Sequence, residues 1–72
     1  MMGRQEEALA AFKKAAELNP DSAEAKINLG NAYAVNGQFP EAIALYKKAL
    51  ELKPDSQEAR ANLERAQASL VK

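Results

Sequence analysis

Apolar positions along this chain recur every three or four residues, and no useful length of it alternates with a period of two. Phe39, Ala42, Ile43, Tyr46, Ala49 and Leu50 form one such series, and Ala25, Leu29 and Tyr33 form a shorter one at steps of four. That spacing lays side chains along one stripe of an α-helix, whereas a half-buried strand needs strict alternation. The pattern predicts helices and no sheet.

The interruptions place the helix ends. Proline at 20 and 54 cannot continue a helix, and it biases the residue before it away from helical backbone. Asp21 stands three residues before Glu24, and Asp55 three before Glu58. Each pair reads as an N-cap with a reciprocal glutamate. Asn36-Gly37 supplies a left-handed helix end. Pro40 falls in the first turn of the next helix, where its missing N–H costs little. Four helices result, over 4–18, 22–36, 39–52 and 56–70. The links are two to four residues long, so neighbours should run antiparallel.

The same phrase occurs twice. "ELNPDSAEA" runs from Glu17 and "ELKPDSQEA" from Glu51, 34 residues later. Sliding the chain by 34 pairs residues 3–38 with 37–72, and 18 of the 36 pairs are identical. Alanine-rich sequence produces chance matches, but it does not easily align Gly3 with Gly37, Pro20 with Pro54 and Asn28 with Asn62 as well. A fixed period of this size signals stacked copies of one two-helix unit.

Period and residues together resemble the tetratricopeptide repeat (TPR) family. "NLGNAY" (Asn28–Tyr33) is similar to the signature of that family's first helix, and "EAIALYKKALELKP" (Glu41–Pro54) to that of its second. The positions that carry the likeness are Leu29, Gly30, Tyr33, Gly37, Ala42, Tyr46, Ala49 and Pro54. The resemblance implies an all-α fold of antiparallel helix hairpins in a right-handed superhelix. Small Gly30 and Ala42 would let the helices of a hairpin approach, while bulky Phe12, Tyr33 and Tyr46 fill the spaces between successive helices.

In that phase, residues 3–22 are the second helix of a repeat, 23–56 a full repeat, and 57–72 a capping helix. A start in mid-repeat reads as a fragment of a longer solenoid. At the far end Glu64, Arg65 and Gln67 replace Gly30, Asn31 and Tyr33. A glutamate where a further helix would press is poor packing and good solvation, as expected of a terminal repeat with a polar outer face.

Composition adds exclusions. Ten Lys+Arg balance ten Asp+Glu, so no net field steers the chain toward nucleic acid or an anionic membrane. Lys13-Lys14 and Lys47-Lys48 read as a solvated face, and the aromatics at helical spacing as core. There is no cysteine or histidine, hence no disulfide, thiolate site or imidazole base. The serines at 22, 56 and 69 have nothing to activate them, and no phosphate or calcium loop is present. We expect no enzyme activity, no cofactor and no metal. With no signal segment or apolar run of spanning length, a cytoplasmic location is the expectation.

The resemblance also implies where function would lie, since first helices of this family line a concave face that receives extended peptides. By position that face comprises Glu24, Ile27, Asn28, Asn31, Ala34 and Val35, with Glu58, Ala61, Asn62, Arg65 and Ala68 from the last helix. An asparagine amide can both donate to and accept from a peptide backbone, although Asn28 and Asn62 also suit a purely structural role. A subset of the family clamps terminal carboxylates. Its first lysine would fall at Ile27, its asparagine at Asn31 and a later basic pair at Glu58 and Asn62. Only the asparagines are present, which disfavours a clamp. The expected function is therefore that of a protein–protein interaction module binding a peptide or protein segment. The alternative is structural self-assembly through the uncovered first helix, at Leu9, Phe12 and Ala16, because few repeats bury little surface.

Overall fold

Helix formation follows the breaks in the sequence closely. The structure, a computed structural model, describes residues 2–70, with side chains from Arg4 onward. Its helices are α1 (Met2–Leu18), α2 (Ala23–Val35), α3 (Phe39–Leu52) and α4 (Gln57–Leu70). No strand occurs among the described residues. The last two residues of the expected capping helix lie outside them.

The links show why the helices end where they do. Ser22 N–H donates to the Asn19 carbonyl at 3.0 Å, and Ser56 N–H to the Lys53 carbonyl at 3.1 Å. Each closes a four-residue turn with proline second, where its fixed φ fits. Between α2 and α3, Gln38 N–H donates to the Tyr33 carbonyl at 2.8 Å and Gly37 N–H to that of Ala34 at 3.0 Å. Gly37 has φ +79°, the left-handed backbone that this pair of bonds requires. Pro40 sits in the first turn of α3.

Two local expectations are corrected. The caps are Ser22 and Ser56, whose Oγ atoms accept from Ala25 N–H at 3.1 Å and Ala59 N–H at 3.2 Å. Asp21 and Asp55 are occupied one residue earlier, inside the proline turns. This shift moves Glu24 and Glu58 to the second helical position, so no reciprocal capping box forms. Gly3, aligned with Gly37 by the repeat, is not a helix end but lies within α1.

Packing is sequential, with one addition. α1 packs on α2, α2 on α3 and α3 on α4, and α2 also touches α4, whereas α1 does not reach α3. The overall dimensions are 35 × 34 × 15 Å. Two layers of helices, each backbone cylinder about 5 Å across and about 10 Å from the next, account for the short dimension.

The core is built from small side chains around one large one. Ile27, Ala42, Tyr46, Ala49, Ala59 and Ala66 form the buried cluster. It draws on α2, α3 and α4 only, and the buried apolar residue of α1, Ala16, lies outside it. Tyr46 is 2% exposed and lies against Gly30. A β-carbon at Gly30 would stand 2.7 Å from Tyr46 Cε1 and 3.1 Å from Cδ1 and Cζ. Thus the space that Gly30 leaves is taken by an aromatic ring. A mid-helix glycine costs about 1 kcal/mol relative to alanine, and seating the ring repays this, since burial of such a side chain contributes about 2–3 kcal/mol.

This packing yields a sign-reversal test. Gly30→Ala should destabilise the chain by about 1–3 kcal/mol in urea unfolding, because the ring has no space to yield. In a Tyr46→Leu background the same change should be neutral or stabilising, because only the helix-propensity gain remains.

Candidate functional site

Two adjoining depressions run along the side of the molecule formed by α2 and α4. The larger, about 450 Å³, has Asn31, Ala34 and Val35 of α2 as one wall. Glu58, Asn62, Arg65, Ala66 and Ser69 of α4 form the other wall, and Phe39 and Tyr46 of α3 the floor. The smaller, about 290 Å³, lies between α1 and α2 and is lined by Gln5, Ala8, Phe12, Asn28, Asn31, Ala32 and Val35. Asn31 and Val35 belong to both, so the α2 ridge at these residues joins the two hollows.

At the centre of the larger groove three polar side chains meet. The Tyr46 hydroxyl donates to Asn31 Oδ1, and Asn62 Nδ2 donates to the same oxygen at 3.1 Å. One carbonyl oxygen thus spends both lone pairs on two other helices. A buried tyrosine needs a partner for its hydroxyl, and none of the buried side-chain polar atoms among the described residues lacks one. With Oδ1 committed, Asn31 retains its two Nδ2 hydrogens, and Asn62 its Oδ1, as the groups it can offer outward.

Charge frames this junction. The Tyr46 hydroxyl pKa is raised above its ordinary 10.0, chiefly by burial, with Arg65 pulling it down and Glu58 pushing it up. Both charged heads therefore lie within electrostatic reach of the groove floor while remaining exposed themselves.

Of the positions expected to form a binding face, Asn31, Ala34, Val35, Glu58, Asn62 and Arg65 come together in the larger groove, and Asn28 lines the smaller one. Glu24, Ala61 and Ala68 are exposed but line neither. Ile27 is 4% exposed and part of the core cluster; its side chain is not available to a ligand. Ala16, one of the three residues expected to mediate self-association, is buried within the chain. Phe39, Tyr46, Ala66 and Ser69 were not expected in the groove. Tyr46 is legible only as core from its spacing, because its ring is core and only its hydroxyl reaches the groove.

On the opposite side, Lys13, Glu17, Leu29, Tyr33, Glu41, Ala44, Leu45 and Lys48 surround a second hollow of about 290 Å³ with α1 and α3 as walls. Its rim carries both signs of charge, Lys13 and Lys48 beside Glu17 and Glu41. No group of three potential metal ligands occurs among the described residues, and no described helix is long and apolar enough to cross a membrane.

A family model described as tetratricopeptide repeat matches residues 2–57, which takes in α1, α2 and α3. No characterised protein matches the chain closely enough to count as a relative.

The junction predicts a specific alkaline response. The folded chain holds the Tyr46 proton more tightly than the unfolded chain does, so this contribution is complete below about pH 10 and is lost as pH rises through the higher folded value. Denaturant melts from neutral to alkaline pH should show the parent losing stability more steeply than Tyr46→Phe. At neutral pH the variant should be weaker by about 1 kcal/mol, the net worth of a hydrogen bond. Parallel profiles for the two proteins would contradict the burial of the Tyr46 hydroxyl that raises its pKa.

Proposed function

The chain belongs to the tetratricopeptide repeat family, whose members commonly mediate protein–protein interaction, and from that premise we propose that it binds an extended peptide or protein segment in the groove between α2 and α4, with no chemistry of its own. In this reading 23–56 is the complete repeat, 3–22 the second helix of another, and 57–72 the capping helix. Two geometric facts support the choice of face. α2 meets α4 while α1 and α3 stay apart, so the α2–α4 side is the inside of the curve. That side also pairs an exposed apolar side chain, Val35 at 72%, with polar groups that can serve a peptide backbone.

The observation that carries the reading is the division of labour at Asn31. Its carbonyl oxygen is locked by Tyr46 and Asn62, which fixes the plane of the amide. The remaining donors are thereby held ready at the junction of both hollows. A preorganised polar group costs less ordering on binding than a free rotor does.

The test is selection of random dodecapeptides against the immobilised chain, followed by titration of the labelled protein in NMR. Amide shifts should cluster at Asn31, Val35, Asn62 and Ser69, and Val35→Glu should weaken binding by about tenfold or more, since a charge would enter the apolar contact. Shifts confined to Lys13, Leu45 and Lys48 would place binding on the other face and contradict the assignment.

A second reading, self-association through α1, draws support from the exposure of Phe12 and Leu18, at 37% and 71%. Light scattering over a hundredfold concentration range discriminates. A monomer throughout removes this reading and leaves the first intact.

A further inference from the structure

The larger groove has opposite charges at two points along one wall. Glu58 lies in the first turn of α4, and Arg65 stands seven residues further along the same helix, both lining the groove. Seven residues of helix rise by about 10 Å, two full turns, so both heads face the groove without neutralising each other at contact distance. Asn62 lies between them, bonded across to Asn31. Toward the end of α2, the exposed Val35 and the half-buried Phe39 supply an apolar patch. Neither charge is buried, so neither has been desolvated by the fold, and each is available to a partner's charge.

We propose that the segment bound here carries one basic and one acidic side chain three residues apart, the basic one on Glu58 and the acidic one on Arg65. This deepens the peptide-binding reading and rests on it. The spacing follows from geometry. A polyproline II strand repeats every three residues at about 3.1 Å each, so side chains at i and i+3 point the same way about 9 Å apart, close to the rise of about 10 Å between positions 58 and 65 along α4. A β-strand directs i and i+3 to opposite faces and brings i and i+2 only about 7 Å apart. Arg65 can take a carboxylate with two parallel N–H bonds, and the Asn31 and Asn62 amides lie where the intervening backbone passes. The two hydroxyl perturbations at Tyr46, opposite in sign, agree with both heads overlooking one floor.

The experiment uses acetylated, amidated proline-rich octapeptides, so that terminal charges play no part. Lys and Glu stand three apart in both orders, and controls carry Gln at both positions, or Lys and Glu two apart. Fluorescence anisotropy against the whole chain should show one order binding about three- to tenfold tighter than the Gln control, the range that two exposed ion pairs supply. The advantage should fade in high salt. Exchanging the wall charges, Glu58→Lys with Arg65→Glu, should transfer the preference to the reverse order, with helicity by circular dichroism unchanged. Equal binding of the Gln control, accompanied by shifts at Asn31 and Val35, would overturn the charge pattern while leaving the groove as the binding face. Preference for the two-residue spacing, or indifference to the exchange, would also overturn it. No binding by any octapeptide would sink the charge pattern and count against the groove as well.

Discussion

The Tyr46 side chain holds the structure to one arrangement. Its ring occupies space that only glycine at position 30 leaves open, and its hydroxyl closes on an oxygen that also receives Asn62. Three helices are thus fixed relative to one another by one residue. The ring sets the spacing of α2 and α3, and the Asn31 oxygen that its hydroxyl meets also receives Asn62 of α4. The other buried residues of the central cluster are one isoleucine and four alanines. Alanines permit close packing but specify little, because each has no rotamer to choose and few atoms to interlock.

Under the proposed function, stability and binding are coupled at this point. The groove exists because α2 and α4 approach over the floor of α3, and the bond between Asn31 and Asn62 defines that approach. The same bond orients the Asn31 amide, which the proposed function offers to a ligand. Removing the hydroxyl or either amide would therefore alter affinity and stability together. Changes at Val35, Glu58 or Arg65, all exposed, should have little effect on the fold, and under the proposed function they would act on binding alone. On that reading, the residues that build the groove are separate from those that would select its occupant.

Most of the architecture was legible in the sequence because strong local signals mark it. Proline turns, the Asn36-Gly37 end and the 34-residue period place every helix to within about two residues, the usual scatter at helix ends. The N-caps were misread because Asp21 and Ser22 are both good cap residues, and the choice depends on which one the proline turn consumes. The groove was less legible. α2 touches three other helices, so most of its circumference is covered and its apolar spacing does not define a single outer face. Ile27 therefore turned inward while Asn31, four residues on, reached both hollows. The bond from Asn62 to Asn31 spans 31 residues, and no local pattern encodes it. The repeat indicated only that Asn28 and Asn62 share a phase, which suited a structural role as well as a binding one.

The central claim is that one asparagine oxygen couples α4 to the α2–α3 hairpin. Native-state hydrogen exchange on Asn31→Leu measures this coupling directly, because amide protection reports the free energy of opening each segment. The account predicts that α4 amides lose protection by about 1–3 kcal/mol, the cost of stranding polar partners, while α1 amides, held only through α2, lose less. Unchanged protection in α4, or a loss confined to α1, would contradict it.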